Sequence, residues 1–419
     1  MKWIQWMRPG LQVKRWALVG FSGIILMALS FTVLMRDFKW SFTNGTALLV
    51  GVAGVTLTIF GFYKVMASIM NIFSTSISIQ GRGTPLKPNL VHDIKLRARG
   101  PKVVVIGGGT GLSVLLRGLK LFTSNITAIV TVADDGGGSG KLREDLGMLP
   151  PGDIRNCILA LAEMEPTMEK LLQYRFEEGS LKGQSFGNLF IASMNGISNN
   201  FEDAVKSMSE VLAVRGQVLP VTLENVTLYA KLENGRIIKG ESNIPYKSLE
   251  DKSPIERVFI KPKESEAVGD AVEAILNADI VVLGPGSLYT SIIPNLLIKN
   301  IRNSLLNTEA IKVYIPNVMT QPGETDGYGA YKHVEALYNH CSGLSLDYVI
   351  VNTGDIPKEV REKYLLEGAK LIGFSEEDGN SLKSKDIDII QDNLIEIKKD
   401  YVRHDAIKLS KIIVRLVKG

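Results

Sequence analysis

The chain has 419 residues, which at roughly 100 to 200 residues per domain allows two or three folding units with a sizeable core. Hydrophobic residues make up 45% and charged residues 22%, and Gly 40 with Pro 16 is ordinary usage, so collagen-like, coiled-coil and disordered classes are excluded. Two cysteines, Cys157 and Cys341, cannot build a disulfide framework and read as reduced, buried thiols, while four histidines without ligand spacing leave little room for a His-built zinc site.

The formal charge of +4 is unevenly spread. Residues 1–100 carry 12 Lys and Arg against Asp37 and Asp93 alone, so the basic balance belongs to the N-terminal segment and argues against a nucleic-acid partner. It argues for a membrane. Ala17 to Met35 is an uncharged run of 19 residues and Thr46 to Tyr63 a second of 18, each long enough to cross about 30 Å of hydrocarbon as a helix. The predicted transmembrane helical hairpin occupies residues 1–73, with spans at about 17–35 and 46–66 and a short connection holding Arg36, Asp37 and Lys39. Lys2, Arg8, Lys14 and Arg15 precede it, and Arg82, Lys87, Lys95, Arg97 and Arg99 follow. By the positive-inside tendency, a cell-membrane protein with these flanks keeps its N-terminus and its main domain cytoplasmic. Trp3, Trp6, Trp16 and Trp40 fall at span ends, and Lys64 can reach the headgroups by snorkelling. A cleaved signal peptide fits less well, because no small-x-small pattern follows the first run and a second run comes directly after it. A buried soluble helical hairpin is the other alternative. Residues 74–100, with Ser74, Ser76, Gly81, Gly83, Pro85 and Pro88, read as a linker.

From Lys102 onward the pattern is α/β. Val103 to Ile106 is a short, fully apolar, β-branched run, followed by Gly107, Gly108, Gly109, Thr110 and Gly111 and then an apolar helical stretch, Leu112 to Leu121. Strand, glycine loop and helix together make a phosphate-binding arrangement, because bare backbone N–H groups and a positive helix end face the same anion. Leu112 stands where the dinucleotide fingerprint wants Gly or Ala, which argues against a nicotinamide oxidoreductase, and no lysine follows as in a P-loop. The next strand, Ile126 to Val132, leads into Asp134, Asp135, Gly136, Gly137, Gly138 and Ser139. Two carboxylates ahead of a flexible anion nest suit a divalent cation such as Mg2+, or a sugar hydroxyl beside a phosphate; a plain turn with solvated aspartates is the alternative.

Asp153, Arg155 and Asn156 enter a helix predicted over Cys157 to Met164. Asp153 suits an N-cap, whereas a cation in a first turn opposes the helix dipole, so Arg155 with Asn156 reads as facing a bound anion. Asn188 opens another helix, as a cap, a core amide or a ligand contact. Residues 217–263 read as a β-rich insertion: Val226 to Leu232, a Glu233-Asn234-Gly235 turn and Arg236 to Glu241 alternate as a hairpin, and Arg257 to Ile260 adds a strand. The α/β pattern returns with a helix over Ala267 to Leu276, a strand over Ile280 to Leu283, and a second glycine loop at Gly284, Pro285, Gly286 and Ser287. Strands follow over Lys312 to Ile315, ending at Asn317, and over Tyr348 to Val351, with the polar loop Thr320 to Gly329 between them. The predicted fold is thus a Rossmann-like, doubly wound, mostly parallel sheet over 101–419 with a β-rich insertion, and every glycine or polar cluster falls at the carboxyl end of a strand, where such sheets bind ligands.

The runs VVVIGGGTGLSVLLRGLK, ITAIVTVADDGGGSGKLREDLGMLPPGDIRN, GQSFGNLFIA, VVLGPGSLYTSIIPNLL and NVMTQPGETDGY together resemble the YvcK-type gluconeogenesis factors of bacteria, a group related to the phospholactate transferase of deazaflavin cofactor synthesis. The resemblance spans residues 101–410. It implies a UDP-sugar site, for UDP-N-acetylglucosamine or UDP-glucose, and a regulatory role in cell shape and cell-wall precursor supply during gluconeogenic growth, exercised through cell-wall synthesis or regulatory proteins. It further implies that the 107–111, 134–135 and 284–287 loops line that site and that Tyr364 and Arg403 belong to it. The usual member is implied to be a soluble cytoplasmic protein, and the two-span leader departs from that. Two readings follow: a membrane-tethered sensor, and a transferase of a phosphate-bearing group in which Asp134 or Asp135 holds Mg2+. A homo-oligomer is compatible with either.

Overall fold

The computed structural model describes residues 13–36, 42–79, 97–163, 166–398 and 401–417. It falls into two compact units, Met1–Ala98 and Arg99–Gly419.

The first unit is a pair of helices, Val13–Arg36 and Phe42–Ile79. Within them Arg15–Met35 and Gly45–Ala67 are long and apolar enough to cross a membrane, with mean hydropathies of 2.3 and 1.9. Small residues form the seam. A Cβ on Gly23 would lie 2.6 Å from the Gly54 carbonyl, a Cβ on Gly61 would lie 2.7 Å from the Gly20 Cα, and the Ser30 hydroxyl donates to the Ala47 carbonyl at 2.7 Å. Large apolar side chains such as Leu18, Phe21, Leu49, Ile59 and Phe62 point outward instead. At one end the Trp16 ring meets Phe60 edge-on, and Lys64 Nζ lies over both rings. The second helix runs on to Ile79, into the stretch expected as linker. Residues 80–96 of that linker and the expected interfacial Trp3, Trp6 and Trp40 lie outside the described residues.

In the second unit the strands are β1 (Val103–Gly107), β2 (Ile126–Val130), β3 (Gln217–Pro220), β4 (Thr227–Leu232), β5 (Ile237–Lys239), β6 (Ile255–Lys261), β7 (Ile280–Leu283), β8 (Ile311–Tyr314), β9 (Tyr348–Asn352), β10 (Asp388–Asp392), β11 (Ile395–Lys398) and β12 (Tyr401–His404). Seven of them form one sheet in the order β10-β9-β8-β7-β1-β2-β3, with every pairing parallel. Strands buried on both faces read as continuous apolar runs, and β1 and β7 are buried throughout. The chain leaves β1 in one direction through β2 and β3 and returns to β7 to build outward in the other. Right-handed crossovers going opposite ways put helices on both faces and open a crevice at the β1/β7 switch point. On one of these layers helix Gly109–Leu119 packs against Gly152–Leu161 and Ala406–Leu416; elsewhere Gly269–Leu276 packs against Lys299–Asn307.

One expectation is corrected here, and one strand is added. The segment at 217 belongs to the main sheet: β3 pairs parallel with β2, so the inserted sheet is β5-β4-β6 alone, with helix Ile244–Asp251. Its apolar run is short and ends in Pro220, which imitates a loop. The sheet also continues past β9 into β10, an edge strand with no fully buried residue, and the β11–β12 hairpin follows.

Candidate functional site

The loops after β1 and β7 meet at the switch point. A Cβ on Gly111 would lie 2.7 Å from the Pro285 carbonyl, and one on Gly286 3.1 Å from the Gly108 carbonyl, so neither position accepts a side chain without parting the loops. The loop after β8 joins them through a polar chain: Asn317 Nδ2 donates to Gln321 Oε1 at 3.0 Å, and Gln321 Nε2 donates to Ser287 Oγ at 2.5 Å. Beside this junction lies a cleft of about 450 Å³ whose lining includes Gly111, Asn317, Gln321, Glu324, Tyr364 and Arg403.

Tyr364 comes from helix Lys358–Leu366 and Arg403 from β12. The Tyr364 hydroxyl accepts the Val402 N–H at 2.9 Å, which pins the ring to the hairpin. The Arg403 guanidinium has no hydrogen-bond or ion-pair partner among the described residues. His404, also on the cleft, is held by the Pro316 carbonyl, and burial lowers its pKa to about 4.

The expected residues on the β2 side take a different arrangement, and none of them lines this cleft. Asp134 Oδ1 accepts the Gly136 N–H and Asp135 Oδ1 accepts the Ser242 N–H, each at 2.9 Å, so the second aspartate ties the insertion to the sheet rim. Gly137, with φ +48°, starts a helix over Gly137–Leu146 in which Ser139 is buried. Thr110 is exposed on the rim. Asp153 is not an N-cap: it sits in the first turn of helix Gly152–Leu161, and its Oδ2 accepts the Gly109 N–H at 2.7 Å. Part of the first glycine loop is therefore already engaged by a carboxylate. Arg155 is likewise turned inward, since its guanidinium donates to Ser185 Oγ and, at 2.8 Å each, to Asn188 Oδ1 and Asn156 Oδ1. The buried Asn188 thus serves as a core amide holding an arginine, and Ser185 caps its helix.

Carboxyl groups gather between the two regions. Burial raises the pKa of Asp153 to about 6 and of Glu324 to about 7. Glu241, on the insertion, is pushed to about 8 by burial and then by Asp134, Glu324, Asp135 and Asp153. Asp134 is raised as well, first by burial. Asp134 and Asp135 do not complete a protein metal cage: among the described residues no three His, Cys, Asp or Glu side chains are grouped to hold a metal. Two carboxylates suffice only for an ion that keeps waters and takes substrate phosphates, as Mg2+ does. The sequence reading missed Glu241, Ser242, Gln321 and Glu324. The polar Thr320–Gly329 loop was the signal for the last two.

Residues 103–395 match the family described as 2-phospho-L-lactate transferase CofD. A gluconeogenesis factor from Bacillus subtilis is 48% identical over 319 residues, covering 76% of this chain and 98% of its own. A relative from Clostridium acetobutylicum is 49% identical over 424 residues, covering 100% of this chain and 92% of its own, so the N-terminal segment is shared beyond this chain. A crystal structure of a UPF0052-family protein from Bacillus halodurans superposes with a TM-score of 0.71 at 47% identity, covering 75% of this chain and 99% of the other. With that family matched across most of the second unit, and with relatives near half identical over almost their whole lengths, the chain belongs to the CofD family and, within it, to the gluconeogenesis factors.

Proposed function

We propose that the chain is a UDP-sugar-binding regulatory protein, tethered to the cell membrane by its N-terminal hairpin, that governs cell shape and cell-wall precursor supply during gluconeogenic growth. The observation that carries this reading is the Arg403 guanidinium, unpartnered among the described residues, on a cleft shared with Tyr364 and with Gly111 of the β1 glycine loop. A planar guanidinium forks onto a diphosphate, and an aromatic ring held by its hydroxyl leaves a face for uracil or a sugar. The cleft volume falls within the roughly 300–1,000 Å³ of small-molecule sites. His404 suits positioning more than proton transfer, because burial keeps it neutral down to about pH 4. The outward-facing apolar side chains and small-residue seam of the first unit support the tether, since helices pair this way in lipid. Partners among cell-wall enzymes or their regulators would read the bound state.

Calorimetry of the full-length protein in detergent against UDP-N-acetylglucosamine, UDP-glucose and NAD tests the reading, with mass spectrometry of the mixture afterwards. Saturable binding of the UDP-sugars without products is expected. Preference for NAD, or no binding, rejects it.

The carboxyl group gathering around Glu241 favours a second reading, a Mg2+-dependent transferase of a phosphate-bearing group. Asp134 and Asp135 would hold the ion, which when bound would neutralise phosphate charge. New products appearing only when Mg2+ is present would select it.

A further inference from the structure

We propose that Gln321 is a positioning residue that makes the Ser287 hydroxyl a hydrogen-bond donor toward the anionic linkage of the bound nucleotide sugar; the inference rests on the UDP-sugar reading above. Ser287 stands at the N-cap of the turn Leu288–Ile292, where a serine oxygen ordinarily accepts a backbone N–H, yet its side chain caps nothing. Its oxygen accepts from Gln321 Nε2 at 2.5 Å instead. In the structure the amide's Oε1 end accepts from Asn317 Nδ2 at 3.0 Å, which turns its Nε2 end toward Ser287. Gln321 is itself anchored: its N–H donates to Thr325 Oγ1 at 2.9 Å, and its carbonyl accepts from the N–H groups of Glu324 and Thr325.

With its oxygen engaged by Gln321, the Ser287 proton points away from that amide, and no group among the described residues accepts it. The side chain is only half-buried, and it follows Gly286, where a Cβ would lie 3.1 Å from the Gly108 carbonyl at the junction of the two glycine loops. A hydroxyl with an engaged lone pair and a free proton seeks an acceptor without protons of its own, and a phosphoryl oxygen is one. Asn317 and Gln321 line the cleft, so the same chain links the cleft wall to the loop junction.

The test is calorimetry on the full-length protein in detergent with three probes: UDP-N-acetylglucosamine, UDP and uridine. Gln321→Met keeps the length of the side chain and removes both hydrogen bonds; Ser287→Ala removes the hydroxyl. Each should weaken UDP and UDP-N-acetylglucosamine binding about tenfold while leaving uridine unchanged. Ser287→Ala combined with Gln321→Met should bind no more weakly than Ser287→Ala alone, because Gln321 acts through Ser287. Additive losses, an equal loss for uridine, or wild-type affinity in Gln321→Met while the wild-type chain binds UDP, would overturn the relay alone. A wild-type chain that binds neither UDP nor UDP-N-acetylglucosamine overturns the relay and the UDP-sugar reading together.

Discussion

The carboxylate of Asp153 accepts the backbone N–H of Gly109 at 2.7 Å, so an acid from a later helix occupies the entrance of the first glycine loop. That acid, with Glu324 and Glu241, forms a group whose protons bind more tightly in the folded chain than in the unfolded one, because burial raises their pKa values to about 6, 7 and 8. Stability from such groups is fully present below the unfolded carboxyl pKa and declines as pH rises toward the folded values. The buried His333 and His404 act oppositely: their pKa values are lowered to about 4, so they lose stability as pH falls below about 6.5. Between about pH 6.5 and 8 the carboxyls therefore act without that opposition. The melting temperature of the wild type should fall by several degrees from pH 6.5 to 8.5, and Glu241→Gln should flatten the decline. Parallel slopes for the two proteins in a scanning-fluorimetry pH series would remove Glu241 from this role.

The contact between the glycine loops has its own consequence. Gly111→Ala must move a Cβ that would otherwise lie 2.7 Å from the Pro285 carbonyl, and overpacking of that kind costs about 1 to 3 kcal/mol. Gly109→Val acts through the backbone instead, since φ there is +68° and a β-branched residue resists it. Both variants should fold, with lowered melting temperature, and should lose at least tenfold in UDP-sugar affinity. Unchanged affinity in both would separate the loops from the binding site.

Tyr364 and Arg403 should be separable by truncation. Tyr364→Phe keeps the ring but leaves the Val402 N–H without its 2.9 Å partner, a cost of about 1 kcal/mol to stability with a small effect on binding. Tyr364→Ala removes the ring face and should cost about 1 to 3 kcal/mol of nucleotide affinity, the usual worth of stacking on a base. Arg403→Ala should weaken UDP and UDP-sugars by about 1.5 to 3 kcal/mol while sparing uridine. Calorimetry with UDP and uridine side by side checks all three. An Arg403→Ala protein altered only in melting temperature would make that arginine structural.

The strand-glycine-helix units were legible because a strand buried on both faces must be apolar and β-branched, and the loop after it must be bare: Ile280–Leu283 was read to the residue. Edge strand β10 was not, because Asp388, Gln391 and Asp392 are exposed and the apolar signal shrinks to Ile389 and Ile390. The inward turn of Arg155 was illegible for another reason. Its partners Ser185 and Asn188 lie 30 and 33 residues away, so only tertiary packing brings them together. Tyr364 and Arg403 entered through family resemblance, because the half-buried positions they occupy on a short helix and a four-residue strand look like surface in the sequence.

The first unit offers a test independent of any ligand. Its helices touch through Gly23, Gly54, Gly20 and Gly61, and a Cβ at Gly54 would lie 2.8 Å from the Gly23 carbonyl, so the backbones are too close for a larger residue. Leu18, Phe21, Leu49 and Phe62 are each more than 60% exposed, the arrangement expected of a helix pair that faces hydrocarbon. The full-length protein should therefore stay with the bilayer fraction after a carbonate wash, and removal of residues 1–98 should release a folded second unit, as a crystal structure of the Bacillus halodurans relative, which covers 75% of this chain, leads one to expect. Gly54→Leu should leave the protein in the membrane, since spanning depends on apolar length, but should abolish a disulfide engineered between Ser30→Cys and Gly51→Cys, where a Cβ on Gly51 would lie 3.4 Å from that of Ser30. Full-length protein that is soluble without detergent would refute the tether, and a disulfide that forms equally well in Gly54→Leu would refute the seam.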